Sequence, residues 1–203
     1  MLNRELLENQ LAEYPLFAYG FLDPKTLDFT QRVRYICQSE CPMFGKSWAC
    51  PPAVGTVEDC QKKCFAFSDC LMIATITEVS DIANVEEALA TRGDHETITT
   101  EVAALMRRQG IEPYILSTEA CAICERCAYL DGQPCRFPEK MHPCVESHGI
   151  NVVDVLEQRG LEFQFGANVV TWIFDVSSFK NMIENTKTAY IYKTTVNGVA
   201  TSK

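Results

Sequence analysis

The sequence predicts a mixed α/β protein of the α+β type: a single compact domain over residues 1–203, with a mixed sheet, helices on it and cysteine-rich metal-binding loops. An apolar, β-branched run at residues 71–79 predicts a buried strand, and a helical pattern and a second strand follow it. The 11 cysteines fall into two blocks, residues 37–70 and 121–144. With 47% apolar residues, a chain of 203 residues can bury one full core.

A helix in the first cysteine block is predicted to begin at Thr56, directly after Gly55. The Thr56 side chain can cap the helix, and Asp59 places an acidic group in its first turn. Cys60 and Cys64 are four residues apart and therefore share one face of this helix.

The strand at residues 71–79 begins the central unit of the predicted fold. A helical pattern runs from Ser80, is interrupted at Gly93, and ends with Gly110 as the C-cap. Residues 113–117 then form a second strand, so a right-handed β-α-β unit is expected. The remaining predicted elements are a helix at 4–10, a strand at 16–22, a helix at 151–159, a hairpin of 161–165 with 169–174, and a strand at 189–195.

Charge and hydropathy exclude some classes of partner. The formal net charge of −9 argues against nucleic acid, because phosphate binding needs a concentrated basic surface. No apolar run reaches the roughly 18 residues of a membrane span. Residues 1–10 lack the pattern of a secretory signal, so a cytoplasmic protein with no membrane or nucleic-acid partner is expected.

The spacing of the second cysteine block indicates a metal centre. Cys121, Cys124 and Cys127 follow a C-x2-C-x2-C pattern, and Cys135 can close the site as a fourth ligand. Three cysteines on one short loop crowd a single zinc ion, but they suit a cubane whose separate irons each bind one thiolate. The ferredoxin pattern has a shorter last gap than the seven residues before Cys135, so the match is partial. The block therefore favours an iron–sulfur cluster of the 4Fe-4S type, with zinc as the alternative.

Charged, histidine and proline residues near this block could also influence a metal centre. The cations of the segment offset cluster charge, mark the docking face of a redox partner, or are solvated loop charges; they are Arg126, Arg136 and Lys140. His142 and His148 are candidate ligands only in the zinc alternative, since a lone loop histidine is more often solvated or hydrogen-bonded. Pro134, Phe137 and Pro138 would shield a cluster from water.

The first cysteine block has looser spacing. Cys37, Cys41 and Cys50 are separated by three and by eight residues, which matches neither a radical-type cluster nor a paired zinc ribbon. A fourth ligand is available from Cys60, Cys64 or Cys144. Without one, a metal position stays open to water or substrate, where metal sites perform chemistry. Cys70 opens an apolar strand and is expected in the core, as is Cys64.

Several segments resemble an uncharacterised family labelled "predicted metal-binding protein", a domain of unknown function. Residues 34–52 resemble its first signature, and residues 119–127, 134–138 and 145–152 resemble its second. The resemblance implies seven metal ligands: Cys37, Cys41, Cys50, Cys121, Cys124, Cys127 and Cys135. It also leads to the expectation of a serine where this chain has Cys144. The resemblance does not imply any particular chemical reaction.

Three functions compete. The leading hypothesis is an iron–sulfur protein with one or two clusters that carries electrons to or from a redox partner protein. The second is an enzyme that uses an open metal position at Cys37, Cys41 and Cys50. The third is a structural zinc-binding protein. No nucleophile–base pair, phosphate loop or dinucleotide fingerprint is evident, so the sequence leans away from an enzyme.

Overall fold

The computed structural model describes residues 3–81, 83–161 and 169–177 and confirms the mixed α/β class. The helices are α1 (Arg4–Leu11), α2 (Gln31–Glu40), α3 (Val57–Phe65), α4 (Val85–Ala90), α5 (Arg92–Arg108) and α6 (Val152–Glu157). The strands are β1 (Ala18–Leu22), β2 (Cys70–Glu78), β3 (Tyr114–Leu116) and β4 (Val169–Ser177). Short 3-10 helices form at Pro24–Thr26, Ala128–Asp131 and Glu146–His148.

The four strands form one sheet in the order β1-β2-β4-β3, and each of these pairs is antiparallel. The expected mixed sheet is therefore wrong for the described strands, whose pairs are all antiparallel. β2 and β3 do run in the same direction, as the β-α-β prediction requires, but they are not neighbours. The reason is β4, which pairs with all nine residues of β2 and so separates it from β3. A parallel bridge occurs only locally, between Ser117 and Cys144 among the described residues.

The core lies on both faces of β2. Met72 packs on one face with residues such as Leu156 of α6, and Ile73 packs on the other with Leu7 of α1 and Met106 of α5. Successive side chains of a strand point to opposite faces, so a central strand covered on both sides is apolar throughout. The continuous apolar run of β2 thus follows from its position between two layers of helices.

The helix boundaries mostly follow the predicted capping signals. α3 begins with a capping box in which the Thr56 side chain accepts from the backbone N–H of Asp59 and the Asp59 carboxylate accepts in return. The break between α4 and α5 is at Thr91, two residues earlier than predicted, and Gly93 lies inside α5. Gly110 follows α5 with a φ of +78°, which favours glycine.

α2 was not predicted. Its N-cap is Thr30, whose side chain accepts a hydrogen bond from the backbone N–H of Val33 at 3.2 Å. Val33, Ile36 and Cys37 have the i, i+3, i+4 spacing of a helix face, but no residue of α2 is buried. It packs instead against the 3-10 helix Glu146–His148.

Some predictions lie outside the described residues. The first arm of the predicted hairpin falls there from residue 162 onward, as does the strand at 189–195. Among the helices that the structure describes, none has both the length and the apolar character to cross a membrane.

Candidate metal centre

The second cysteine block folds into a compact loop after β3. Cys127 is the N-cap of the 3-10 helix Ala128–Asp131, and Gly132 ends that helix with a φ of +63°. This left-handed residue reverses the chain and returns it toward Cys135. The backbone N–H of Gln133 also bonds to the carbonyl of Ala128 at 3.0 Å, which closes the turn.

Four thiols of this loop line one small cavity of about 20 Å³ that opens to solvent. They belong to Cys121, Cys124, Cys127 and Cys135, the four residues that the spacing singles out. All four cysteines are partly exposed. The fold therefore brings the predicted set together around a common space near the surface.

Ser47 and Trp48 of the first block line the same cavity, which the sequence did not predict. The indole N–H of Trp48 donates to the carbonyl of Gln133 at 3.0 Å, and its ring meets Tyr129 edge-to-face with centroids 5.0 Å apart. An aromatic residue two positions before a cysteine was the available signal, but nothing in the sequence connected it to residues 80 positions further on. Trp48 thus joins the two cysteine blocks.

The thiols of the cavity differ in their electrostatic surroundings. Burial works to raise the pKa of Cys127, but hydrogen bonds from the backbone of Tyr129 and Trp48 and from the Ser47 side chain lower it overall. The charge of Arg136 acts in the same direction. For Cys121, burial dominates and raises the pKa. Cys127 is therefore the thiol of this pair that more readily becomes the thiolate, the form that binds metal.

A polar cluster lies beside Cys121. The Glu96 carboxylate of α5 accepts from Arg92 at 3.3 Å and from the Ser117 hydroxyl, and His142 lies 3.7 Å away. Burial works to raise the pKa of Glu96, but the His142 and Ser117 hydrogen bonds and the Arg92 charge lower it overall. The charge of Arg92 also acts to lower the pKa of Cys121. Sequence analysis did not single out Arg92 or Glu96.

The first block places its three predicted ligands around the end of α2. Cys37 is in the last part of the helix, and Cys41 is its C-cap. Gly45 has a φ of +71°, and its backbone N–H bonds to the Pro51 carbonyl at 2.8 Å, so the loop brings Cys50 back toward Cys41.

Cys50 lies between the two cysteine blocks. It is only 5% exposed, and burial raises the pKa of its thiol to about 12. The negative charges of Cys41, Cys37, Cys121 and Cys127 contribute to the same rise of this pKa. Because cysteines of both blocks influence the pKa of Cys50, the two blocks lie close together in space.

The remaining four cysteines differ in their surroundings. Cys64 and Cys70 are buried in the apolar core, as expected. Cys60 is also buried; its thiol donates to the Val54 carbonyl at 3.6 Å, and Arg34 lies 3.7 Å from its sulfur. The Cys144 thiol donates to the Glu146 carboxylate at 2.8 Å.

The cations and histidines near the second block have defined partners. Arg126 forms a salt bridge with Asp131 at 2.7 Å, and Arg136 lines the cavity and donates to the Arg126 carbonyl at 3.1 Å. His148 is buried, with Nε2 2.7 Å from the Tyr114 hydroxyl and Nδ1 3.1 Å from the Cys144 carbonyl. His148 therefore has a hydrogen-bonding role in the fold.

The four cysteine thiols of the second block fit a thiophilic metal group, but they do not converge on a single metal position. In the described part of the chain, no group of three or more His, Cys, Asp or Glu side chains is placed to hold one metal ion. The four thiols instead surround a cavity. Such an arrangement offers soft thiolate ligands to a thiophilic metal group.

Comparison with known proteins gives a family. No curated protein and no solved structure was found to match the chain. A family model described as "Predicted metal-binding protein (DUF2284)" matches residues 20–176, which include both cysteine blocks and all four strands except the first two residues of β1 and the last residue of β4. The chain therefore belongs to this family of predicted metal-binding proteins.

Proposed function

We propose that the protein is an iron–sulfur protein that carries single electrons between partner proteins. One cluster would be held by Cys121, Cys124, Cys127 and Cys135, and a second centre by Cys37, Cys41 and Cys50. The observation that carries the proposal is the cavity lined by the first four thiols.

The spacing of these cysteines along one loop favours a cluster over zinc. A zinc ion requires all four sulfurs at about 2.3 Å from one point. A cubane binds each thiolate through a different iron, so its ligands are spread around a larger volume. Three cysteines at C-x2-C-x2-C spacing on one loop, with Cys135 lining the same cavity, correspond better to the second case.

The protein contributes hydrogen bonds and a surface position. Donors on Ser47 and on the backbone of Trp48 and Tyr129 reach the Cys127 sulfur, and hydrogen bonds to ligand sulfur raise the potential of a cluster. Ile123 is 44% exposed and Phe137 38% exposed, so the cavity wall reaches the protein surface. A partner that docks there would approach the cluster closely.

The proposed reaction transfers one electron and no atoms. A bound cluster supplies a reversible one-electron couple. The electron enters from a reduced one-electron carrier protein and leaves to an oxidised one. The proximity of Cys50 to thiols of both groups supports a short route between the two centres.

The test begins with anaerobic purification and measurement of iron, acid-labile sulfide and zinc per chain, followed by a redox titration. We expect about eight irons and eight sulfides for two cubanes and a reversible one-electron couple. Cys124→Ser should remove the iron and sulfide of the second-block cluster, whereas Cys60→Ala, which replaces a buried thiol outside the proposed ligand set, should keep them. Stoichiometric zinc without sulfide would replace this proposal with a structural zinc protein. A cluster without a reversible couple would contradict electron transfer.

A further inference from the structure

The segment around Cys144 lies against the first cysteine group, although it is far from that group in sequence. The backbone N–H of Cys144 donates to the carbonyl of Ala49, the neighbour of Cys50, at 3.2 Å. Two residues later, the carbonyl of Glu146 accepts from the Cys37 thiol at 3.9 Å. Cys144 therefore sits beside two of the three predicted ligands of the first block.

This position is fixed from two directions. On one side, Ser117 at the end of β3 bridges to Cys144: its N–H bonds to the Pro143 carbonyl at 2.7 Å and its carbonyl accepts from Val145 at 2.8 Å. On the other side, the N–H of Thr30, the N-cap of α2, bonds to the Gly149 carbonyl at 2.7 Å. The segment is thus held between the sheet and the helix that carries Cys37.

The other two candidates for the fourth ligand, Cys60 and Cys64, contact other parts of the protein. Cys60 lies on the buried face of α3, and its thiol donates to the Val54 carbonyl. Cys64 is on the same face, one turn later, and packs in the apolar core with Cys70 and Leu116. Neither shares the backbone contact that places Cys144 beside Cys50.

We propose that Cys144 is the fourth thiolate ligand of the first group, which completes a four-cysteine metal centre with Cys37, Cys41 and Cys50. This inference rests on the proposed function and answers which residue closes its second centre. Metal binding would replace the hydrogen bond between the Cys144 thiol and the Glu146 carboxylate. The thiol proton leaves to solvent as the thiolate binds metal.

Closure by Cys144 determines what the centre does. Four thiolates leave no metal position open to water or substrate, so the centre suits electron transfer rather than catalysis. The serine that the family resemblance leads one to expect at this position would not supply a soft ligand. In this chain the cysteine makes the first group a closed site.

The test compares Cys144→Ala and Cys144→Ser with Cys60→Ala, all purified without oxygen. Iron, sulfide and zinc per chain are measured together with the electron paramagnetic resonance spectrum. We expect the wild-type count of about eight irons to fall toward about four in both Cys144 variants, with the count unchanged in Cys60→Ala. If the first group holds zinc instead, the zinc count falls in the same two variants.

The second-block cluster serves as an internal control. Its four irons and its spectrum should persist in the Cys144 variants, which shows that these proteins have folded. Retention of the full metal count and an unchanged spectrum in both variants would overturn the inference and leave the proposed function intact. A wild-type protein that lacks iron and sulfide would instead overturn the proposed function, and zinc loss confined to the Cys144 variants would still support the ligand assignment.

Discussion

The two cysteine groups reach similar ligand sets by different routes. In the second group, three of four cysteines lie within seven residues of one loop, and the whole set lies within fifteen. In the first group, with Cys144 as the proposed fourth ligand, the thiols come from a helix, from the loop that follows it and from a segment about 95 residues away. One group is made by local chain geometry, and the other exists only when the fold brings distant segments together.

This difference teaches where each group is vulnerable. The second group depends on its own loop and on contacts from Ser47 and Trp48. The first group depends on the packing of α2 against the 3-10 helix Glu146–His148. Changes at that packing contact should therefore affect the first group and spare the second.

The largest effect is expected for Gly149→Ala. Gly149 has a φ of +85°, and an added Cβ would lie 2.9 Å from the Thr30 carbonyl oxygen and 3.1 Å from a methyl of Val57. Left-handed strain and a clash with backbone together should lower the free energy of unfolding by roughly 2 to 5 kcal/mol. Urea denaturation of the metal-free protein measures this change.

Gly132→Ala is the matched control in the second group. Gly132 has a φ of +63°, but an added Cβ would meet nothing within 4 Å. Only the conformational cost remains, about 1 to 2 kcal/mol. The first group should lose metal in Gly149→Ala but not in Gly132→Ala. Equal metal loss from the first group in both variants would contradict the idea that only this group depends on distant contacts.

The next effect is a pH dependence at the contact that holds Cys144. Burial is the main cause that lowers the pKa of His148 to about 4 from its ordinary 6.5. As pH falls from 6.5 toward 4, the unfolded chain takes up a proton that folded His148 does not, so the free energy of unfolding decreases. The decrease from this residue approaches about 3 kcal/mol at pH 4.

His148→Gln tests this contribution through the slope of stability against pH. The variant should show a shallower loss of stability between pH 6.5 and 4 than the wild type, whatever its stability at pH 7. Buried His95, whose pKa is lowered to about 3, is present in both proteins and does not affect the difference. An identical slope in the two proteins would show that His148 already binds a proton in the folded state.

The smallest effect is expected for Trp48→Phe. The substitution keeps an aromatic ring beside Tyr129 but removes the indole N–H that donates to Gln133 at 3.0 Å. Loss of one such hydrogen bond costs about 1 kcal/mol. We also expect a shift in the potential of the second group with no change in its iron count. A potential shift confined to the first group would contradict an effect of Trp48 on the second group.

The sequence was informative where the determining contacts are local. The capping box at Thr56, the β2 run and the Cys121–Cys135 set all depend on residues close together in the chain. The structure forms the first two as expected and places the four cysteines around one cavity. α2 was missed because its apolar pattern is limited to Val33, Ile36 and Cys37. The sheet order was missed because it depends on β4, which pairs with a strand about 100 residues earlier.

The candidate site shows the same limit. Spacing identified the second group, but the contribution of Ser47 and Trp48 comes from tertiary contact and has no spacing signature. For the first group, the sequence left three candidate fourth ligands open. The proposal of Cys144 rests on backbone hydrogen bonding, since among the described residues only Cys144 of the three bonds to the residue before Cys50.

The long-range bond between Cys144 and Ala49 has a consequence for biosynthesis. A nascent chain emerges from the ribosome in sequence order, and Cys121, Cys124 and Cys127 emerge almost together. Cys37, Cys41 and Cys50 emerge first, but under the proposed ligand set they must wait for Cys144 and for closure of a loop of about 95 residues. The block that is synthesised later is therefore the one that should load its metal earlier, and a chain arrested midway would carry the first three cysteines as unprotected thiols.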